Sequence, residues 1–200
     1  MKTEILHEDR QNIFFTSDLH LNHERVIEYC NRPFSNVIEM NRTIVDNWNK
    51  VVDTGDIVFV LGDFSFGNQK TWLYFIEQLE GFIYLIKGNH DKSIPKENTN
   101  LNNKFKWIDG FLNTRIIDTE FDGNEQRVTL CHYPMLSWYH SHKGAWQLFG
   151  HIHSNDYNKL LHTKESPFKT SQYDVGIDNN NFTPVHWNEI KSILTKQIRS

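Results

Sequence analysis

The sequence predicts an α/β fold in a single domain, with two β-sheets and helices against them. Three observations predict it. Short runs of β-branched and aromatic residues recur along the chain, and each ends in Gly, Asp, Asn or His. In the first half these runs alternate with segments of helical periodicity. In the second half they follow one another with turns between, which points to a second sheet of more antiparallel character. A length of 200 residues suits one domain spanning 1–200.

The first run, Ile13–Thr16 (IFFT), opens onto Ser17-Asp18-Leu19-His20. His23–Cys30 (HERVIEYC) reads as a short helix, closed by Asn31-Arg32-Pro33. Val37–Val51 reads as a longer one, with Val37, Met40, Ile44, Val45 and Trp48 at helical spacing. The strand Ile57–Leu61 (IVFVL) runs into Gly62-Asp63. A third helix, Gln69–Leu79, carries Trp72, Leu73, Ile76 and Leu79 on one stripe and stops at Glu80-Gly81. Phe82–Ile86 (FIYLI) then leads into Lys87-Gly88-Asn89-His90-Asp91, and the polar stretch Lys92–Asn103 reads as an exposed loop. Thr114–Asp118, Thr119–Asp122, Arg127–Cys131 and Gln172–Ile177 read as strands, with a hairpin turn at Asp122-Gly123-Asn124. Trp146–Phe149 (WQLF) is a strand ending in Gly150-His151-Ile152-His153, and His186–Ile198 is a last helix. Near-continuous apolar runs such as IFFT and WQLF suit strands covered on both faces.

Composition narrows the function. A net charge of -4 and a pI near 6.2 leave no basic face, so tight binding to long nucleic acid is disfavoured. Cys30 and Cys131 are the only cysteines, too few for a disulfide framework, and a reducing cytoplasm is the expected setting. The opening MKTEILHEDRQN lacks an apolar leader, and no apolar run is long enough to span a bilayer. The unusual feature is histidine, with eleven in the chain.

Ligands of open α/β sheets gather beyond the carboxyl ends of the strands. Asp18, His20, Asp63, Asn89, His90, His132, His151 and His153 occupy those ends. His151 and His153 lie two apart, so in an extended segment they project to the same side. Crowded carboxylates need compensating charge. Imidazole with carboxylate and amide oxygen suits a first-row divalent ion: Mn, Fe, Co, Ni or Zn. The groups are too many for one tetrahedral zinc and fit two ions sharing a bridge. A buried polar network without metal or catalysis is the alternative.

The series SDLH, LGD, KGNHD, CHYP and FGHIH resembles the five signature blocks of the calcineurin-like metallophosphoesterases, in order, from Ser17 to His153. EYCNRPF resembles the small bacterial and phage-type branch. The expected fold is then a layered α/β/β/α sandwich of two mixed β-sheets flanked by helices. The resemblance implies that Asp18, His20 and His153 hold one metal and Asn89, His132 and His151 a second. Asp63 would bridge the two. Manganese is favoured. Two such ions, about 3.5–4 Å apart, clamp an in-line displacement at phosphorus and activate a shared water as hydroxide. His90 would protonate the leaving group or stabilise the transition state.

The expected activity is metal-dependent hydrolysis of a small phosphoester, with a phosphodiester such as a cyclic nucleotide favoured over a monoester. The rivals are a nuclease acting on a nucleic-acid strand and a non-catalytic metal-binding relative. No oligomeric state is implied. Several residues carry two readings. Arg32 could contact a substrate phosphate or form a structural ion pair. His140 and His142 could reach the substrate or lie in a solvated loop. Asp91 could orient His90 or cap the following loop, and His23 could line the pocket or open a helix capped by Asn22. Phe64, Phe66, Trp138 and Tyr139 could stack a nucleobase or pack in the core. Asp53 and Asp56 read as turn residues, Cys131 as core, and His7, His162 and His186 as surface.

Overall fold

A computed structural model of the chain describes residues 3–6, 12–92, 104–108, 110–121, 124–153 and 166–199. In it, β2 (Ile13–Thr16), β3 (Ile57–Val60), β4 (Phe82–Ile86), β5 (Phe105–Ile108) and β10 (Val185–His186) form one sheet, ordered β10-β2-β3-β4-β5. The other joins β1 (Thr3–Leu6), β6 (Phe111–Ile117), β7 (Glu125–Cys131), β8 (Trp146–Phe149) and β9 (Gln172–Asp174), ordered β1-β6-β7-β8-β9. Both sheets are mixed: the β10–β2 and β6–β7 pairings are antiparallel and all others parallel. The antiparallel share is larger in the second sheet, where β6 and β7 pair along seven residues each.

Parallel pairing carries the functional consequence. Thr16 pairs with Val60 and Val60 with Leu85, so β2, β3 and β4 end at one rim. Leu130 pairs with Leu148 and Phe149 with Asp174, so β7, β8 and β9 end together as well. A bridge from Ser17 to Gly176 joins the two rims.

The sheets face each other across an apolar core. Ile13, Phe15, Phe59 and Leu61 meet Leu112, Ile116, Leu130, Leu148 and Phe149 there. Strand alternation turns Phe14, Val58, Val60 and Leu85 the other way, towards α1 (Arg25–Tyr29), α2 (Val37–Val51) and α3 (Gln69–Gln78). The α2 stripe of Met40, Ile44, Val45 and Trp48 is buried. Asn36 caps α2, its side chain accepting from the Ile38 and Glu39 amides at 3.0 Å each, and Asn68 caps α3 in the same way. The last helix, α4 (Trp187–Arg199), lies against β10, β2 and β9, and its Trp187, Ile190 and Leu194 join the inter-sheet core.

Several expectations need correction. Residues 119–121 form a turn, not a strand, because the Asp118 carboxylate accepts the Glu120 amide at 3.0 Å and the Phe121 amide closes on the Asp118 carbonyl at 3.2 Å. The expected strand Gln172–Ile177 stops at Asp174, whose side chain takes the Gly176 amide at 2.8 Å and turns the chain into a short 3-10 segment, Ile177–Asn179. Asn22 does not cap α1; the residue at that position is Glu24, with no side-chain cap bond. The edge strands β1, β5 and β10 were not expected. Each is at most four residues long, too short to show a period. Asp122, Gly123, His7, His162 and most of the expected 92–103 loop lie outside the described residues. Asp56 is a turn residue as expected, accepting from the Asp53 amide at 2.8 Å. Cys131 and Phe64 are core. Neither cysteine is in a disulfide. Among the described residues no helix is long and apolar enough to cross a membrane.

Candidate metal centre

Asp18 and His20 follow β2, Asp63 follows β3, Asn89 and His90 follow β4, His132 follows β7, and His151 and His153 follow β8. The loops that carry them are stitched to one another. The Asp18 amide donates to the Gly62 carbonyl at 3.0 Å, His20 to Asp63 at 2.9 Å, and Gly150 to His132 at 3.0 Å. Asp18, His20, Asp63, His151 and His153 all have positive φ, between 45° and 74°. Side chains other than glycine rarely adopt that region, and such residues cluster where function requires them. At position 150 only glycine fits, since a Cβ there would run into Ser17 Oγ and Asp18 Oδ2.

The side chains converge in two groups. Asp18, His20 and His153 bring ligand atoms within 4.8 Å of one another. His20 Nε2 lies 3.1 Å from His153 Nε2, and His153 Nε2 lies 3.6 Å from Asp18 Oδ1. In the other group, His132 Nε2 lies 2.9 Å from Asn89 Oδ1 and 3.2 Å from His151 Nδ1. Asp63 stands between: its Oδ2 is 3.5 Å from His20 Nε2 and 3.5 Å from His132 Nε2.

The donor set fits divalent cations. The buried Asp18 Oδ1 has no hydrogen-bond partner, which is costly for a carboxylate unless a cation faces it. His20, His132 and His153 turn Nε2 inward and have Nδ1 engaged. His132 Nδ1 lies 2.7 Å from the Leu61 carbonyl, so Nδ1–H donates there and Nε2 is the nitrogen turned towards the centre. Burial, followed by the nearness of His153, pushes His20 far below its ordinary value, so it is neutral as a ligand must be. Burial also lowers His151. Burial raises Asp18 against the pull of His153. His153 differs: burial lowers it, but the hydrogen bond to Asp178 and other nearby groups outweigh that and hold it at about 10.

Arg32 is engaged in a buried ion pair with Asp178. Its buried guanidinium donates from Nε to Asp178 Oδ1 at 2.7 Å and from Nη2 to Asp178 Oδ2 at 2.9 Å. Its remaining bonds hold the Asp18 and Leu19 carbonyls. Asp91 does not orient His90. It accepts the amides of Asp63, Phe64 and Gly88 at 2.8–2.9 Å and so fixes the bridging loop. His140 and His142 are not brought to the centre; His140 lines a cavity of about 300 Å³ over β6 and β7 with Arg115, Arg127 and Thr129. Trp138 is buried, and its indole N–H donates to the Ala145 carbonyl at 2.9 Å. His23 does reach the site, stacked on Phe66 at 3.7 Å with its Nδ1 3.3 Å from His20 Nδ1. The Phe66 ring also lies 5.1 Å from that of His90.

Asp178 is the residue that sequence reasoning missed. It follows β9, and its Oδ2 lies 2.8 Å from His153 Nδ1. The signal was present: Asp174-Val175-Gly176-Ile177-Asp178-Asn179 is another strand end rich in Asp, Gly and Asn.

Two mixed sheets whose strand ends bring His, Asp and Asn side chains together form a candidate metal centre at a sheet rim. Residues 11–165 match the family model described as calcineurin-like phosphoesterase, and the chain belongs to that family. Members of this family are phosphohydrolases that typically hold two metal ions. An uncharacterised protein of Methanocaldococcus jannaschii is 36% identical over 191 residues, covering 93% of each chain. The gene 66 protein of Mycobacterium phage L5 is 39% identical over 87 residues, 42% of each. The crystal structure of a protein of unknown function from Aquifex aeolicus shares the fold, with a TM-score of 0.63 at 21% identity, covering 92% of this chain and 100% of that one.

Proposed function

We propose that this protein is a metal-dependent phosphoesterase acting on a small phosphoester, with a diester such as a cyclic nucleotide preferred over a monoester. The observation that carries the reading is Asp63 Oδ2, 3.5 Å from both His20 Nε2 and His132 Nε2, between two sets of ligand atoms. Asp18, His20 and His153 would hold one ion, Asn89, His132 and His151 the other, with Asp63 common to both. Manganese is the favoured ion. When bound, such a pair neutralises phosphoryl charge and lowers the pKa of a water.

The chain's own groups supply the rest. The His90 amide donates to Asp63 Oδ1 at 2.9 Å, which fixes the backbone and leaves an exposed ring beside the centre. That ring would give a proton to the departing oxygen. The diester preference is supported by an aromatic side chain beside each group of ligands. Phe66 lies beside His20 and His90, and Tyr133, 43% exposed, lies edge-on to His132 and His151. A diester carries an organic group on either side of phosphorus to lay against them. Two unpaired thiols support a reducing compartment such as the cytoplasm.

The test is a panel assay of manganese-loaded protein. The panel holds an aryl phosphate monoester and diester, 2′,3′- and 3′,5′-cyclic nucleotides, and single-stranded DNA. Faster turnover of the diesters than the monoester is expected. Preferential cleavage of DNA with steep salt sensitivity would move the substrate to a nucleic-acid strand. No turnover of any ester by metal-loaded protein refutes the activity.

A further inference from the structure

We infer that one buried ion pair, Arg32 with Asp178, positions all three ligands of one metal position and none of the other, so that the two positions bind their ions with unequal affinity. The inference rests on the two-ion reading above. Asp178 acts on His153, with Oδ2 at 2.8 Å from Nδ1, so the imidazole turns Nε2 towards Asp18 and His20. Arg32 acts on the other two ligands through the backbone. Its Nη2 donates to the Asp18 carbonyl at 2.7 Å and its Nη1 to the Leu19 carbonyl at 3.0 Å. Those carbonyls belong to the turn in which Asp18 and His20 have φ of 58° and 49°. A left-handed turn of this kind persists only when its surroundings fix it. The two-point contact between guanidinium and carboxylate, at 2.7 and 2.9 Å, therefore locks a loop after β2 to a histidine after β8.

The opposite position has no buried ion pair of this kind among the described residues; there the Asp91 carboxylate accepts the Gly88 amide, beside Asn89, at 2.8 Å. His132 is oriented by a neutral backbone carbonyl, that of Leu61 at 2.7 Å. A carboxylate on the far nitrogen makes an imidazole a more basic ligand, and its full charge does so more strongly than a carbonyl dipole. Arg32 and Asp178 make no direct contact with Asn89, His132 or His151 among the bonds described; the link between the positions runs through Asp18, whose Oδ2 accepts the His151 amide at 2.8 Å. Asp178 also lies beyond residues 11–165, outside the part of the chain that the family model matches. Both residues are positioning residues; neither is placed to touch substrate.

The consequence is ordered loading: the Asp18–His20–His153 position fills first. Manganese titrations by calorimetry, with metal content measured after dialysis, test this without any assay of turnover. Single-position backgrounds separate the sites. His132→Ala leaves the Asp18 side, and His20→Ala leaves the Asn89 side. Asp178→Asn should weaken manganese binding about 10–100-fold in the His132→Ala background. It should leave binding unchanged in the His20→Ala background. Arg32→Lys keeps the charge but loses the fork, and should produce a smaller loss at the same position. It decides the matter if Asp178→Asn does not fold, which the far-UV circular dichroism of the metal-free variants reports. Equal weakening in both backgrounds, or none in either, overturns the inference alone. A wild-type chain that binds no manganese overturns the two-ion reading with it.

Discussion

The space between the sheets and the rim at their strand ends are built on opposite terms. Between the sheets, Ile13, Phe15, Phe59, Leu148 and Trp187 are buried among apolar neighbours. At the rim, Asp18, Asp63, Asp91 and Asp174 are buried carboxylates, and burial raises Asp18, Asp91 and, well above its ordinary value, Asp174. Left-handed backbone is concentrated there too, at about 1–3 kcal/mol for each strained residue. The interior thus stabilises a rim that would not hold its shape alone. The two regions should fail differently: rim substitutions should remove metal and rate, and interior substitutions should remove stability.

The largest effect is expected from Asp63→Ala. The variant loses the oxygen that stands 3.5 Å from a ligand of each group, so both ions and nearly all activity should go. Metal content after dialysis, with turnover, reports it. A variant that kept two ions would show that the rim does not depend on a shared carboxylate. His90→Ala sharpens the same side of the comparison. It should keep its metal and lose rate by about 10²–10⁴-fold, the range typical of a positioned proton donor. A metal-free His90→Ala protein would place His90 among the ligands.

Trp187→Ala addresses the interior. The indole is fully buried, its ring lies 5.5 Å from Trp146 and 6.2 Å from Phe15, and its N–H donates to Asp118 at 2.8 Å. Truncating it should cost about 3–5 kcal/mol in urea unfolding. Metal stoichiometry of the folded fraction should not change.

Acidity links the regions through His153. Its folded-state value, about 10, lies above the ordinary 6.5. In the metal-free protein its charge therefore stabilises the fold fully below the unfolded value, and that contribution is lost as pH rises through about 10. A ligand imidazole must be neutral, so metal binding expels this proton. Manganese affinity should rise with pH between 6.5 and 10, with proton release visible in calorimetry across buffers of different ionisation enthalpy. Affinity independent of pH over that range would place His153 outside the metal centre.

The strand ends were legible in the sequence because parallel strands buried on both faces leave apolar runs that stop abruptly at functional residues. Ile13–Thr16, Phe82–Ile86 and Trp146–Phe149 match the structure at both ends. The roles of Arg32, Asp91 and Asp178 were not legible. Each acts through partners distant in sequence, Arg32 and Asp178 lying 146 positions apart. Nothing local distinguishes a buried arginine that props a turn from an exposed one that meets phosphate. His140 and His142 misled for the converse reason. They lie between two signature blocks, but the β7–β8 connection carries His140 to a cavity over β6 and β7.

The smallest effect tests how far the rim is insulated from the helices. Asn36→Ala removes the cap of α2, leaving the Ile38 and Glu39 amides to water, and should cost about 1 kcal/mol. Those groups are exposed, so water replaces much of what is lost, which keeps the figure small. Yet α2 touches the rim: Arg32 Nη1 lies 3.5 Å from Met40 Sδ, one turn from the cap, and Asn41 Oδ1 accepts the Asn22 amide, in the loop after β2, at 2.9 Å. If α2 only covers the sheet, thermal stability should fall slightly and manganese affinity should not move. If affinity fell as well, the turn that carries Asp18 and His20 would be held by the helix as well as by Arg32, and the division between interior and rim would have to be redrawn to place α2 with the rim.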